Sequence, residues 1–503
     1  MIALDTFQAL PVEWFHLSPL IVLIAGAVIL MVVGAMTPRW PRGAYSGLTV
    51  VSAVVAAILA GFQWASIAKD GPGLLIGHTL AFDAFSQFIT ITVVIGVALV
   101  ALISGDELSR AGRDGPEVYV LFLIAAVGAI VMASANELIL VFLGLETLSL
   151  SLYVLAASDR ERSSSQEAGL KYFILGGFAS AFFLYGVAMI YGSTGSTNLG
   201  EIFGSYDDAI QVGGASPIVL AGVALLLVGM AFKVAAVPFH VWTPDVYQGA
   251  PNHVTAFMAS VGKAAAFAAL VRIVVVTLPF HRDDWRPVIW VLAVLSLVIG
   301  SVMAVVQTDV KRMLAFSSIS HAGFILVGIE AAGHQAGTAG AGDGIAAVAS
   351  YLAIYAVLTI GSFAVVTLVG RHADGDTSLA AFAGLARRRR GLALGLTIFL
   401  LAQAGVPLTS GFVAKWGVIQ AAVAEQSYAI AIIAMVSAVI AAYLYLRIMV
   451  AAWLEEGSTA DQVEEVPRPT GAAVVIAAGF TLVVGIWPSW FLDLAAQVVD
   501  FVR

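Results

Sequence analysis

Five ionisable side chains fall in the middle of long apolar stretches of the sequence. One is a carboxylate, three are amines and one is an imidazole: Glu146, Lys233, Lys263, Lys415 and His321. Each such group costs about 2.5–3.5 kcal/mol at the centre of a membrane-inserted helix. One carboxylate cannot neutralise three amines, so pairing alone leaves two lysines unmatched. Groups of this kind inside a membrane are typical of proton pathways.

Lysine suits proton transfer because burial disfavours its charged form, and a nearby carboxylate favours it again. Arginine stays protonated and cannot do this. The chain has six lysines and eighteen arginines, yet all three deep basic positions are lysine. The structural alternative is that these groups hold the helix bundle together through interhelical hydrogen bonds. For His321 alone, a hydrogen-bonded core histidine is a further alternative.

Three other basic residues inside apolar stretches lie near the ends of their stretches: Lys171, Arg272 and Arg447. Long basic side chains at such positions can extend to the membrane interface. We expect this of the two arginines, whereas for Lys171 an interfacial position and a part in the proton path are both open.

Composition indicates the class of protein. Of the 503 residues, 60% are hydrophobic and 11% are charged, with a mean hydropathy of +0.97. Soluble proteins carry roughly 25% charged residues, so this chain is not a soluble enzyme. It has no cysteine, which excludes cysteine-ligated metals and iron–sulfur clusters within it. A net charge of −8 indicates no nucleic-acid partner. The sequence predicts an all-α polytopic membrane protein.

About fourteen apolar runs are long enough to span a bilayer, which takes about 20 residues. They are predicted at 18–36, 44–68, 82–104, 117–134, 137–157, 168–192, 217–241, 252–276, 288–306, 313–333, 344–370, 392–420, 427–453 and 470–492. The longest segment between them, 193–216, is too short for a domain with its own core.

Loop charges predict the orientation. Most Lys and Arg residues outside the spans lie in loops that follow odd-numbered spans, which places these loops in the cytoplasm. Both termini are then outside, on the periplasmic side of a bacterial inner membrane. No Lys or Arg precedes Arg39, so the first span is not a typical signal peptide.

Two prolines in mid-span predict broken helices. Pro238 lies in AAVPFHVW of span 7 and Pro407 in AGVPLTSG of span 12. Because these spans are five apart, they run in opposite directions, and spans 4–8 and 9–13 form two inverted five-helix repeats. Corresponding broken helices are typical of transport sites, although a plain proline kink is the alternative. The predicted units are 1–116 (three helices), 117–276 (repeat one), 288–453 (repeat two) and 454–503 (a C-terminal helix).

Four segments of the sequence resemble a known protein family. PFHVWTPDVYQGAPNHVTAFMASVGK, from Pro238 to Lys263, closely resembles the antiporter-like membrane subunits of NADH-quinone oxidoreductase (respiratory complex I). FLGLETLSLSLYVL, KRMLAFSSISHAG and GVPLTSGFVAKW resemble the same family. Lys415 stands where subunit M of that family has a glutamate, and the chain lacks the long lateral helix of subunit L.

The resemblance implies roles for the deep residues. Glu146 and Lys233 would be the coupling pair, Lys263 the central relay and Lys415 the terminal one, with His321 assisting. Lys171 would also assist. No cofactor or metal is expected in this chain, since the family's FMN, iron–sulfur clusters and quinone site belong to other subunits. The expected partners are subunit M, the small K- and J-type subunits, the lipid bilayer and protons.

The sequence thus predicts a proton-translocating membrane subunit that uses redox energy released elsewhere in its complex. Two alternatives stay open. One is a subunit of a multisubunit Mrp-type cation/proton antiporter, which gene neighbourhood would distinguish. The other is a non-pumping scaffold of the membrane arm, in which the deep lysines would tolerate replacement by methionine.

Overall fold

The protein is described from a computed structural model, which covers residues 12–37, 40–210, 217–370, 375–457, 466–499 and 501. The first part of this chain contains eleven α-helices: α1 (Ser18–Met36), α2 (Ala44–Asp70), α3 (Ala84–Arg110), α4 (Pro116–Ser134), α5 (Leu138–Ala156), α6 (Ser163–Thr194), α7 (Leu199–Ile210), α8 (Pro217–Lys233), α9 (Trp242–Gly249), α10 (Asn252–Phe257) and α11 (Lys263–Val271). A short antiparallel hairpin, β1 (Gly73–Leu75) and β2 (Leu80–Phe82), precedes α3.

The second part of the described chain contains nine more: α12 (Arg282–Val305), α13 (Val310–His334), α14 (Gly342–Gly370), α15 (Leu385–Arg388), α16 (Arg390–Ala404), α17 (Ser410–Ala424), α18 (Tyr428–Leu454), α19 (Arg468–Ile486) and α20 (Ser489–Ala496). α10 and α11 form one span, because a π-helical turn at Met258–Gly262 joins them and a second π-helical turn extends the helix to Thr277.

Twelve continuous helices within the described residues are long and apolar enough to cross a membrane. They are α1 to α6, α10 with α11, α12, α13, α14, α18 and α19. Two further spans are each made of two shorter helices, α8 with α9 and α16 with α17. The prediction of an all-α polytopic protein with broken spans 7 and 12 is confirmed. The predicted positions of the termini lie outside the described residues.

Three features of the described fold were not predicted. The loop 193–216 contains the helix α7, the segment before α3 forms the β1–β2 hairpin, and the last predicted span ends at Ile486 with α20 as a separate helix. α3 begins where the Asp83 carboxylate accepts the backbone N–H of Ser86, as in a capping box.

The break in span 7 runs from residue 234 to 241. Proline removes one backbone donor and cannot continue a helix, and the peptide bond between Val237 and Pro238 is cis. Backbone groups freed inside a membrane need partners within the protein. Here the N–H of Val237 donates to the Ser296 hydroxyl of α12, at 2.9 Å. This hydrogen bond joins the break to α12, in the second predicted repeat.

The break in span 12 runs from residue 405 to 409. Gly405 ends α16 in the left-handed region, with φ of 90°, and its N–H donates to the carbonyls of Leu401 and Ala402. Glycine adopts this conformation without steric cost. Leu408, with φ of 68°, is a second left-handed residue before α17 begins.

A pair of matching backbone bridges relates the two predicted repeats. In the first, Leu138 and Leu199 donate to the carbonyls of Thr197 and Asn136. In the second, Val310 and Leu379 donate in the same way to the carbonyls of Thr377 and Thr308. A threonine hydroxyl also bonds a carboxylate in each case: Thr197 with Glu137, and Thr377 with Asp309. These bridges lie after spans 4 and 9, which end on opposite sides of the membrane, as an inverted repeat requires. The boundaries of the four units stay a prediction.

The buried centre of the fold is formed by spans 8, 10 and 11. The apolar windows of α10 with α11, of α13 and of α14 are completely buried inside the protein. Outer helices such as α1 and α6 bury only 28% and 33% of theirs. Lys263 and His321 therefore lie on helices that do not face lipid.

Candidate functional site

The three deep lysines and the histidine are all buried in protein. The exposed fraction is 7% for Lys233, 3% for Lys263, 5% for Lys415 and 3% for His321. None of these side chains points into lipid, which agrees with an internal pathway. Within the described residues, no group of His, Asp and Glu side chains is arranged to hold a metal ion.

Lys233 is the last residue of α8, at the start of the break in span 7. Its amine donates to the Ser149 hydroxyl of α5 at 2.7 Å and to the Tyr172 hydroxyl of α6 at 3.4 Å. The ring of Tyr172 stacks on Trp242, the first residue of α9, with ring centroids 4.5 Å apart. The lysine amine is thus held where the two halves of the broken span meet α5 and α6.

Glu146 lies on the same face of α5 as Ser149, one turn earlier, and is half-buried. It accepts a hydrogen bond from Ser180 of α6. No direct ion pair joins it to Lys233 in the described part of the chain. A cavity of about 10 Å³ is lined by Lys233, by its acceptor Ser149 and by Ser180, the hydrogen-bond donor of Glu146. That volume is about what the centre of one water molecule needs. The geometry therefore favours an indirect connection between the predicted coupling pair.

Lys263 begins α11, directly after the π-helical turn. Its amine donates to the backbone carbonyl of Ser318 at 2.7 Å and to the Ser318 hydroxyl at 2.6 Å. The Tyr355 ring of α14 lies 5.7 Å from the amine. π-helical turns are often found at functional sites. Here the turn precedes a lysine whose hydrogen-bond acceptors are all uncharged.

His321 lies one turn after Ser317 and Ser318 on α13. Its Nδ1 is 2.6 Å from the Tyr351 hydroxyl and its Nε2 is 3.3 Å from the Tyr445 hydroxyl. The Tyr445 hydroxyl is also 2.6 Å from that of Ser317. Both ring nitrogens thus have a hydroxyl partner, which can donate or accept a proton.

Lys415 lies on α17, and its amine returns to the end of α16. It donates to the backbone carbonyls of Gln403 at 2.7 Å and Ala404 at 3.1 Å. The last carbonyls of a helix have no partner within the helix, so the break supplies these acceptors. The amine also lies 4.8 Å from the Phe324 ring centroid.

Gln403 connects the Lys415 site with the His321 site. Its side-chain oxygen accepts from the Ser317 hydroxyl at 3.4 Å, and its nitrogen donates to the Ser362 hydroxyl at 2.7 Å. Ser318 accepts hydrogen bonds from Lys263, and the neighbouring Ser317 contacts both Tyr445 and Gln403. Tyr445 contacts His321, and the carbonyl of Gln403 accepts from Lys415. This series of side chains leads from Lys263 past His321 to Lys415. Sequence reasoning missed Gln403 and Tyr445, although the serines of SSISHAG share a face with His321.

Aromatic side chains fill the region between Lys233 and Lys263. Trp242 contacts Tyr247 edge-on, with ring centroids 6.1 Å apart. α9, which carries both rings, packs against α13, the helix of Ser318. α9 therefore lies between Lys233 and the helix that holds Lys263.

Lys171 does not lie with the buried groups. Its side chain is 42% exposed and forms ion pairs with Glu167 at 2.6 Å and Asp245 at 2.8 Å. Asp245 also pairs with Arg312 at 2.7 Å. Lys171 thus belongs to an ion-pair network at the predicted cytoplasmic end.

The expectation that Arg272 extends to the membrane interface is wrong. Only 1% of its side chain is exposed, and it binds both carboxylate oxygens of Asp83, at 2.7 and 2.9 Å, and the Ala133 carbonyl. The Arg447 side chain also forms hydrogen bonds within the protein: it donates to the carbonyls of Val305 and Gln307 at the end of α12. A buried carboxylate thus accepts the Arg272 side chain, and free helix-end carbonyls accept that of the half-buried Arg447.

Fold and site together define a membrane subunit of the antiporter-like class, with two broken spans and lysines buried between them. The family described as "NADH:quinone oxidoreductase/Mrp antiporter, TM" matches residues 135–441. Among curated relatives, NADH-quinone oxidoreductase subunit N 3 of Streptomyces griseus subsp. griseus is 38% identical, over 99% of this chain and 96% of that protein. The chain therefore belongs to the subunit N family of NADH-quinone oxidoreductases.

Solved structures show the same fold. A chain of respiratory complex I from Thermus thermophilus with bound aureothin has a TM-score of 0.78 and 34% identity, covering 95% of this chain and 99% of that one. A chain of the Mrp complex from Dietzia sp. DQ12-45-1b has a TM-score of 0.82 at 21% identity, covering 97% of this chain and 96% of that one. The latter likeness concerns the fold alone.

Proposed function

We propose that this chain translocates protons across the membrane through Glu146, Lys233, Lys263, His321 and Lys415, as a subunit of an NADH-quinone oxidoreductase. The observation that carries the proposal is the bonding of the three lysines. Each donates to hydroxyl or carbonyl oxygens, and none forms an ion pair within the described residues. An amine with uncharged acceptors can donate hydrogen bonds with or without its extra proton, whereas a salt-bridged lysine is held as the cation.

The coupling step lies at Glu146. A change in the charge or position of this carboxylate alters how strongly Lys233 holds its proton, because Ser180, which donates to Glu146, and Ser149, which accepts from Lys233, line the same small cavity. The proton then passes along the membrane plane to Lys263. From Lys263 it moves past His321 to Lys415 and leaves on the outer side.

The energy required is within reach of such a mechanism. Moving one charge against a membrane potential of roughly 150 mV costs about 3.5 kcal/mol. A swing of about 2.5 pKa units supplies the same amount, at 1.36 kcal/mol per unit. Packed helices lie about 8–10 Å apart, which is too far for direct transfer, so water bridges the steps where no hydrogen bond is formed.

Proton translocation by this chain requires other subunits of the complex. Electron transfer from NADH to quinone takes place in other subunits, which hold FMN, the iron–sulfur clusters and the quinone site. Subunit M and the small K- and J-type subunits are the proposed neighbours in the membrane arm, and the complex lies in the bacterial inner membrane with the termini of this chain outside. The names of the relatives and the pattern of loop charges support this arrangement.

The test replaces Lys263 by methionine, which has a similar length and no charge. Lys69→Met is the matched control, since Lys69 is an exposed lysine at the end of α2. Both complexes are placed in proteoliposomes, and protons moved per electron are measured together with reduction of an artificial electron acceptor. We expect fewer protons per electron in Lys263→Met and the wild-type ratio in Lys69→Met. An unchanged ratio in an assembled Lys263→Met complex would favour a scaffold and contradict the proposal.

A further inference from the structure

A second group of buried titratable side chains lies at the predicted cytoplasmic ends of α3, α10 and α13. We name Glu107, His253 and Lys311 the uptake cluster. The Glu107 carboxylate is 2.7 Å from His253 Nδ1. The side chain of Glu107 is 28% exposed, whereas that of His253 is only 2% exposed. The pair therefore leads from the surface into the protein.

The second ring nitrogen of His253, Nε2, is buried and has no hydrogen-bond partner among the described residues. The ring lies edge-on to Phe122, with centroids 6.1 Å apart. Buried polar atoms are nearly always hydrogen-bonded, so an unpartnered one needs an explanation. An imidazole held at Nδ1 by a carboxylate, with a buried Nε2 that has no partner among the described residues, has the arrangement of a proton shuttle.

Lys311 is the third member of the uptake cluster. It is 2% exposed, although the sequence placed it in a loop, and its amine donates to the Ala250 carbonyl at 2.6 Å. Ala250 ends α9 and comes three residues before His253 in the chain. Lys311 thus fixes the start of α10 against α13.

Solvent reaches the neighbourhood of this cluster. A cavity of about 360 Å³ is lined by charged and polar side chains, including Arg162, Lys171, Asp245, Gln248 and Asp309. It also touches Gly249, the residue directly before Ala250. The cavity therefore comes within one residue of the carbonyl that binds Lys311, although its lining does not include the uptake cluster itself.

The inner end of the route is Lys263. His253 and Lys263 belong to the same span, ten residues apart, which is about 15 Å along a helix. α14 runs beside this span: its end at Gly370 lies next to Asn252, and its Tyr355 ring faces the Lys263 amine. Between these levels α14 carries the buried Thr359, one turn after Tyr355. Polar side chains thus cover part of the distance.

We propose that Glu107 and His253 take up protons from the cytoplasmic side and deliver them to Lys263; this rests on the proton translocation proposed above. Glu107 receives a proton from water and passes it to Nδ1 of His253. The imidazole releases its other proton from Nε2 toward Lys263, and a ring flip restores the starting form. Each cycle moves one proton inward, and no other bond is formed or broken.

The test uses the assembled complex in proteoliposomes. His253→Gln keeps a side-chain hydrogen bond to Glu107 but cannot relay a proton, and Glu107→Gln removes the titrating carboxyl. Glu107→Asp keeps it. The matched control is His16→Gln, because His16 forms a similar pair with Glu13 at 2.9 Å on the surface. Protons per electron and the rate of proton uptake are measured, with Lys263→Met as the reference.

We expect His253→Gln and Glu107→Gln to fall to the ratio of Lys263→Met, with uptake slowed by about tenfold or more. His16→Gln should keep the wild-type ratio, whereas Glu107→Asp, whose shorter side chain lengthens the contact with His253, should take up protons more slowly than the wild type. If Lys263→Met lowers the ratio while His253→Gln and Glu107→Gln do not, the uptake route is wrong and the proposed function stands. If Lys263→Met itself leaves the ratio unchanged, both proposals fail. If a glutamine variant does not assemble, Glu107→Asp decides: a wild-type rate of proton uptake in an assembled Glu107→Asp complex overturns the uptake route.

Discussion

The amine of Lys415 binds the backbone carbonyl of Gln403, at 2.7 Å, on the other half of its own broken span. Lys233 is itself the last residue of α8, so it also lies at the carboxyl end of the first half-helix of a broken span. That end carries a partial negative charge. In both spans the break therefore provides a place for a cation without a carboxylate. This equivalence is hidden in the sequence, because Lys233 precedes Pro238 and Lys415 follows Pro407.

The first prediction concerns Lys415→Arg. Arginine keeps the donors for the Gln403 and Ala404 carbonyls, but it does not release its proton in proteins. We therefore expect an assembled complex whose ratio of protons to electrons is as low as that of Lys415→Met. The ratio is measured in proteoliposomes, and assembly is followed on native gels. A wild-type ratio in Lys415→Arg would mean that only the positive charge at this position matters.

The second prediction concerns the pair at the start of the pathway. Glu146→Ala and Lys233→Ala should abolish proton pumping while the complex still reduces an artificial electron acceptor, since that reaction takes place in other subunits. Ser149→Ala removes only one acceptor of the Lys233 amine, and Tyr172 remains. We expect Ser149→Ala to pump at a reduced rate. Normal stoichiometry in both alanine variants at Glu146 and Lys233 would rule out this pair as the coupling element.

The third prediction concerns Tyr445, whose hydroxyl lies between Ser317 and His321. Tyr445→Phe keeps the ring and its packing but interrupts this contact, so proton transfer should slow by about tenfold or more. Tyr443→Phe is the matched control, because Tyr443 lies two residues away on α18 and is 55% exposed. Initial rates of acidification in proteoliposomes compare the two. Equal rates would show that protons do not pass this hydroxyl.

Much of the fold follows from the sequence alone. Long apolar runs define the spans, and Pro238 and Pro407 identify the two that break, because both signals are local. The depth of Lys263 and His321 also follows, since each lies in the middle of a run that is too long to be anything but a span.

The partners of these groups do not follow from sequence. Gln403 and Tyr445 are polar residues in spans far along the chain from Ser317, and only the packing of three helices brings them together. The same limit applies to Lys311, which looks like a loop residue but is buried by α9. The position of Arg272 near the end of its apolar stretch likewise suggested an interfacial residue, because its partner Asp83 is 189 positions away and could not be recognised from the sequence.

The last prediction separates structural charges from functional ones. Arg272 and Asp83 form a fully buried bidentate pair that joins the outer end of span 8 to the start of α3. Arg272→Met leaves the Asp83 carboxylate unpaired, and breaking such a pair costs about 3–5 kcal/mol. We expect little assembled complex in Arg272→Met. The double variant Asp83→Asn with Arg272→Met should regain assembly, because asparagine still caps α3 and no buried charge remains. Its ratio of protons to electrons should be that of the wild type. A double variant that assembles but does not pump would place this ion pair on the proton path instead.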